Sequence, residues 1–256
     1  MKNKQMKKLI LVMNGKGGVG KSTFAINFVQ FYKDHGLPHA AVDTDNENST
    51  LKRFHPEAVF LQINKPRGLD GLFDLVDANP VVIVDCRAAS TDSILNYLTD
   101  VDGFSVLSSL GASLVVVSPV THEPDSIEQV RVISAAIGKR AGYVVVRNRV
   151  HGDGFEIYDQ SRTRARLLDE FNAVEISLRR LPDWLVTALH LRSISITAAA
   201  ASGSFSLIDR QRLLNWQREF YGEIKSVGVL LLADSSAHGD FQQTVPVSGT
   251  ESGGCS

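Results

Sequence analysis

Four glycines within six residues, followed at once by Lys-Ser-Thr, leave this chain few folds to choose from. The stretch is Gly15-Lys16-Gly17-Gly18-Val19-Gly20-Lys21-Ser22-Thr23. The apolar run Leu9-Ile10-Leu11-Val12-Met13 leads into it and reads as a buried strand. Behind it Phe24, Ala25, Phe28, Phe31 and Tyr32 recur at helical spacing. Strand, glycine-rich loop and helix, in that order, is the setting a phosphate-binding loop of the form G-x-x-x-x-G-K-S requires. The glycines let the backbone curl so that its N–H groups face a triphosphate. The helix starting near Lys21 adds roughly half a positive charge at its N-terminus. In such a loop Lys21 reaches the β and γ oxygens, and the Ser22 hydroxyl binds Mg²⁺.

Lys16, directly after the first glycine, is not demanded by the general phosphate loop. With it, Gly15 to Thr23 resembles the deviant Walker A motif of the ParA/MinD family of ATPases. The resemblance implies an α/β fold: a mainly parallel, doubly wound sheet with helices on both faces. It implies ATP and Mg²⁺ as ligands, cradled by Gly15, Gly17, Gly18, Val19, Gly20, Lys21, Ser22 and Thr23. It also implies a homodimer in the ATP state, in which Lys16 reaches the partner's ATP.

Further along, His39-Ala40-Ala41-Val42 reads as a second strand ending in Asp43-Thr44-Asp45. A carboxylate at the tip of a parallel strand points into the crevice where α/β folds bind ligands. The family carries a D-x-D here, and its second Asp is linked to positioning the attacking water. That role maps onto Asp45, with Asp43 nearer the Mg²⁺ shell or the loop. For Asp43 a helix cap or Asx-turn is a rival reading. Asn46 stands where the family often has proline. Val81-Val82-Ile83-Val84 then runs into Asp85, which resembles a Walker B strand whose carboxylate secures Mg²⁺. Cys86-Arg87-Ala88-Ala89-Ser90 departs from the partition ATPases and looks like the conjugative-plasmid ParA-type ATPases, the TraL group. After the strand Tyr143–Val146, Asn148 matches a family Asn that contacts adenine. The guanine-reading Asn-Lys-x-Asp is absent, which favours ATP over GTP. Leu181-Pro182-Asp183 resembles a second adenine-side loop, with an ordinary proline turn as the alternative.

Other elements are read from pattern: strands over 58–63, 114–117 and 174–178, and helices over 69–76, 92–107, 124–137 and 207–224. A chain of 256 residues that is 43% hydrophobic can bury one large core. One domain is expected over 1–232, followed by a disordered polar tail over 233–256. The opening lysines are read as solvated charge beside the first strand. The apolar run after them is too short for a signal peptide, and far short of the roughly 20 residues a transmembrane helix needs. Only Cys86 and Cys255 are present, which excludes an intrachain disulfide framework or a four-cysteine zinc site and fits a reducing cytoplasm. His122, His151 and His190 look scattered and suggest no metal site.

Charge is uneven: net −3 over 1–130, +5 over 131–225 and −3 beyond. The late cations are Lys139, Arg140, Arg147, Arg149, Arg162, Arg164, Arg166, Arg179, Arg180 and Arg192. Non-specific DNA binding through phosphates and a plain solvated face are equal readings of them. The expected function is a partner-stimulated ATPase, a nucleotide-timed dimerisation switch in plasmid partition, mobilisation or conjugative transfer. The alternatives are a MinD-like positioning ATPase for a polar or membrane complex, and a biosynthetic ATP-dependent enzyme of the same superfamily.

Overall fold

The structure, a computed structural model, describes residues 6–233. Its strands are β1 (Lys7–Val12), β2 (Ala40–Asp43), β3 (Val59–Phe60), β4 (Val81–Asp85), β5 (Ala112–Val120), β6 (Ala141–Asn148) and β7 (Val174–Leu178). They form one seven-stranded sheet in the order β3-β2-β4-β1-β5-β6-β7, with every neighbouring pair parallel. This is the doubly wound α/β architecture expected from the sequence. Its central strands are apolar throughout because helices cover both faces, so alternate residues have nowhere wet to point.

The alternation sorts the core into two halves. Ile10 and Val12 of β1 join Ile83, Val115 and Val144 on one face, and Leu9 and Leu11 join Val82, Val84, Val116 and Val145 on the other. The first face is covered by the helices Lys21–Asp34, Asp183–Arg192 and Leu207–Ser226. The second is covered by Gly71–Ala78, Thr91–Asp100, Pro124–Ile137 and Arg162–Phe171. The helix behind the glycine loop is anchored most firmly. Phe24, Phe28 and Phe31 are fully buried, and the Phe24 ring meets Phe220 edge-on at 5.5 Å. Each such ring contributes about 1.5–3 kcal/mol by leaving water.

Register sets the height of the site. Val12 pairs with Asp85, and Asp43 also pairs with Asp85. The glycine loop and both acidic strand ends therefore emerge level at the carboxyl edge of the sheet. β1 sits between β4 and β5, where successive strands leave to opposite sides, and such a point opens a crevice.

Three local expectations need correction. The strand expected over 58–63 shrinks to Val59–Phe60, because the chain turns away after Leu61 N–H bonds the Asp43 carbonyl. The helix expected over 92–107 is two helices, Thr91–Asp100 and Gly103–Ser109. Asp102 between them takes a left-handed φ of 46°, and Gly103 abuts Leu98 so closely that a Cβ would lie 2.8 Å from its Cδ2. The opening lysines are not simply solvated. Lys7 pairs with Asp77 at 2.9 Å, while Lys8 is 4% exposed and donates to the Val229 carbonyl. The tail beyond Ala233, with Cys255, lies outside the described residues.

Candidate nucleotide site

The loop is held open from both ends. Asn14, 1% exposed, accepts the Lys16 N–H on its Oδ1 at 3.0 Å and donates from Nδ2 to the carbonyls of Pro119 and Ser126, both at 2.9 Å. This buried amide fixes where the loop leaves β1. It was not singled out from the sequence, although a lone polar residue between apolar strand and first glycine is the available signal. Gly18 and Gly20 then take φ of +77° and +98°, in the left-handed region where side chains clash with the backbone. Gly20 is the last residue before the helix Lys21–Asp34, and a Cβ there would lie 2.3 Å from Asn148 Nδ2.

Gly17, Gly18, Gly20 and Thr23, with Lys21, Ser22, Asp45, Asp85 and Arg87, line a polar cavity of about 340 Å³. Lys21 is nearly buried and donates from Nζ to the Lys16 carbonyl at 2.8 Å. Burial lowers its pKa, partly offset by Asp85, Cys86 and Asp45 nearby. Asp85 sits at the opposite extreme. Burial pushes its carboxyl up to about 7, with the Ser22 hydroxyl and Lys21 pulling it back and Asp43 and Asp45 adding to the rise. Its Oδ1 is buried with no hydrogen-bond partner. An orphaned carboxylate oxygen beside a serine hydroxyl is the donor chemistry Mg²⁺ takes. Among the described residues no cluster of His, Cys, Asp and Glu makes a self-sufficient metal cage. That suits an ion held by one or two protein oxygens together with substrate phosphates.

The two residues of the D-x-D part company. Asp43 is fully buried, outside the cavity, and both its oxygens are engaged: Oδ1 accepts from Asp45 N–H at 2.9 Å and Oδ2 from Lys52 N–H at 3.0 Å. The expectation that it lies in the Mg²⁺ shell is therefore corrected: it shapes the loop, as the Asx-turn alternative had it. Asp45 does line the cavity. Partial burial raises its pKa, but N–H groups of Glu47 and Asn48, the Asn48 amide and the Arg87 charge outweigh that and hold it low. It is an ionised carboxylate in a polar cavity. Arg87, unassigned from the sequence, lines the same space, and its guanidinium bonds Asn46 and Glu47.

A second cavity of about 180 Å³ shares Gly18, Gly20 and Thr23 with the first but is walled by Ile26, Phe54, Leu178 and Trp216. Asn148 borders it, with its side chain committed elsewhere: Nδ2 donates to the Val19 carbonyl at 2.9 Å and Oδ1 accepts from Val150 N–H at 3.2 Å. Pro182 does not line this cavity; its neighbours Leu181 and Asp183 do. The glycine loop thus divides a polar chamber from a largely apolar one, the division that a triphosphate and a base require.

Lys16 points into neither chamber. Its Nζ lies 3.3 Å from Glu123 Oε2 and 3.5 Å from Asp125 Oδ2, and those acids raise its pKa, Glu123 more than Asp125. Elsewhere the late cations are mostly matched. Arg147, Arg149, Arg164, Arg166, Arg179 and Arg180 each hold a carboxylate, and Arg140 and Arg192 bond carbonyls at helix ends. His122 and His151 are not scattered: their rings meet edge-on at 5.0 Å. Among the described residues no helix is long and apolar enough to cross a membrane.

Protein MobD of Acidithiobacillus ferrooxidans is 24% identical over 220 residues, covering 83% of this chain and 94% of MobD. A protein TraL of Escherichia coli is 26% identical over 247 residues, covering 88% of this chain and all of TraL. The MinD cell division protein of Aquifex aeolicus superposes with a TM-score of 0.47 at 19% identity, over 85% of this chain and 98% of that one. The model of the CobQ/CobB/MinD/ParA nucleotide binding domain matches residues 10–230. That span runs from inside β1 to the short helix Gly228–Leu231 and contains both chambers, and the chain belongs to this nucleotide-binding family.

Proposed function

We propose that this protein is a Mg-dependent ATPase whose ATP state is a homodimer, acting as a timed switch in conjugative transfer or mobilisation. The observation that carries the reading is the polar chamber, where the glycine loop and the ends of β2 and β4 bring together Lys21, Ser22, Asp45 and the orphaned Asp85 oxygen. Phosphoryl transfer needs positioning and charge stabilisation rather than covalent chemistry. Lys21 gives up its bond to the Lys16 carbonyl and meets the β and γ oxygens. Asp45, ionised, accepts a hydrogen bond from the attacking water and aligns it. Ser22 and Asp85 would hold Mg²⁺, which supplies charge neutralisation between the phosphates. The apolar chamber beside Asn148 takes the base. Likeness to MobD and TraL favours transfer or mobilisation over a biosynthetic role. The pairing of the late arginines favours a protein as the activating partner over a DNA surface.

In this reading Lys16 leaves Glu123 and Asp125 to meet the partner's triphosphate. Two facing ATP sites repel unless cations intervene; even at an effective dielectric near 20, unit charges 4 Å apart interact by about 4 kcal/mol. Sedimentation of Asp45→Ala with Mg-ATP, beside the Lys16→Ala/Asp45→Ala double variant, tests it. The expected result is dimer in the first and ATP-bound monomer in the second. Equal dimerisation in both removes Lys16 from the interface.

A further inference from the structure

The polar chamber has a second cation, and its bonds lead away from the phosphate loop. Arg87 follows β4 by two residues and lines both the 340 Å³ chamber and another cavity of about 310 Å³. That second cavity is formed by Thr44, Asn46 and the turn Gln62 to Lys65. Arg87 Nη1 donates to Asn46 Oδ1 at 2.8 Å, and Nη2 donates to the Glu47 carboxylate. Both acceptors belong to the loop that carries Asp45. The Arg87 backbone is fixed in turn: its N–H bonds Thr44 Oγ1 at 3.0 Å, and Thr44 Oγ1 donates to the Asp85 carbonyl at 2.9 Å. Two residues on, Ala89 N–H bonds the Gly15 carbonyl at 3.0 Å. One short segment thus touches the first glycine of the phosphate loop at one end and grips the Asp45 loop at the other.

On its N-terminal side Asp45 follows Thr44, whose N–H and Oγ1 bond the Asp85 carbonyl at 3.2 and 2.9 Å; on its C-terminal side the Arg87 guanidinium holds Asn46 and Glu47 from outside the turn. The Asp45 oxygens accept from Glu47 N–H at 3.0 Å, Asn48 N–H at 3.4 Å and the Asn48 amide at 3.2 Å, all within three residues. Those bonds shape the turn without saying where the turn sits. Asn46 and Glu47 are exposed, and a loop of that kind opens at small cost in free energy unless something distant holds it. Arg87, 40 residues away from Glu47 along the chain, is that distant hold.

We propose that Arg87 is a positioning residue for Asp45: by bridging Asn46 and Glu47 it fixes the Asp45 loop against the end of β4. The inference rests on the ATPase reading above, in which Asp45 orients water. A planar fork holds its two acceptors in one fixed geometry, whereas a lysine offers a rotatable point charge on a flexible stem.

The test compares Arg87→Ala with the double variant Asn46→Ala/Glu47→Ala, which removes the acceptors and leaves the guanidinium in place. Four quantities are read on the full chain: kcat for Mg-ATP, affinity for a non-hydrolysable ATP analogue, hydrogen exchange of the 45–49 amides, and the unfolding midpoint. Both variants are expected to lose about 10- to 100-fold in kcat, the range set by misplacing a catalytic group by an ångström or less. Both should bind the analogue within about threefold of wild type, as expected if uniform binding is untouched. Both should exchange the loop amides faster. A merely structural arginine would lower kcat and affinity together with the unfolding midpoint, and that result overturns the proposal. So does an Arg87→Ala variant that loses analogue affinity while the double variant keeps wild-type kcat, since the guanidinium would then act on the nucleotide. If wild type itself turns over no ATP, the ATPase reading fails. Loop exchange at the wild-type rate in both variants would separately sink the tether.

Discussion

Lys21 and Asp85 are a buried cation and a buried anion whose pKa values burial moves towards each other, the lysine down and the carboxyl up. Neither is fully satisfied: Lys21 holds one backbone carbonyl, and one Asp85 oxygen holds nothing. Side chains left this way in a chamber gain more from a charged ligand than solvated ones would, because their desolvation has already been met in folding. Lys21→Ala should therefore keep the fold and lose the nucleotide. Each hydrogen bond to a charged group contributes about 1.5–3 kcal/mol, and every 1.4 kcal/mol is about tenfold in affinity. Titration calorimetry with Mg-ATP should show binding at least about tenfold weaker, accompanied by an unchanged unfolding midpoint without nucleotide. Undiminished affinity would remove Lys21 from the phosphates.

At the scale of elements, the helix behind the phosphate loop is tied to the short helix Thr50–Phe54 through one histidine. His55 is fully buried, and its Nε2–H donates to the Ile26 carbonyl at 2.9 Å. Its Nδ1 has no hydrogen-bond partner, and Glu57 lies 3.8 Å away. Burial lowers the pKa of His55, Lys33 and His39 lower it further, and the Ile26 bond and Glu57 only partly compensate. The unfolded chain titrates near the ordinary value of about 6.5. Below that pH it binds more protons at this site than the folded chain does, so stability falls as pH falls. The contribution is fully present above about 6.5 and is lost on acidification. His39 and His190, also lowered by burial, act in the same direction. Urea midpoints at about pH 7.5 and about pH 5.5 should differ more for wild type than for His55→Gln, which retains a donor for Ile26 and cannot titrate. Identical pH dependence would assign the titration elsewhere.

For the whole molecule, the distribution of charge matters more than its sum. The excess of +5 over residues 131–225 suggests a DNA-binding face only while its arginines are free. In the fold Arg164 holds Glu175 through two nitrogens, at 2.8 and 3.0 Å, and Arg147 holds Asp159 at 2.9 Å. Of the ten late cations, Lys139 and Arg162 alone have no acceptor among the described residues. Each phosphate neutralised adds about −0.9 to the slope of log affinity against log salt. The ATP-loaded dimer carries two such cations per chain, so on duplex DNA it should show a slope no steeper than about −3.6. A steeper one, measured by mobility shift or anisotropy over a salt series, would mean the ion pairs open and would restore DNA as a partner surface.

What the sequence determined by itself is what short-range chemistry determines. Gly15 to Thr23 carries its own turn geometry, cation and hydroxyl within nine residues, and strand, loop and helix followed from periodicity on either side. The runs before Asp43 and Asp85 announced buried parallel strands for the same reason, since both faces must be apolar. The tertiary structure decided everything that depends on which distant group arrives. Asp43 and Asp45 are two residues apart and chemically alike, yet Lys52 N–H takes up one and the chamber receives the other. Arg87 reads as an ordinary surface arginine until the Asp45 loop closes over it. Lys16 meets Glu123 and Asp125 more than a hundred residues on, because β1 and β5 are neighbours and their ends converge. Pairings of that kind are set by sheet order and by burial around each charge, neither of which is written in the local pattern.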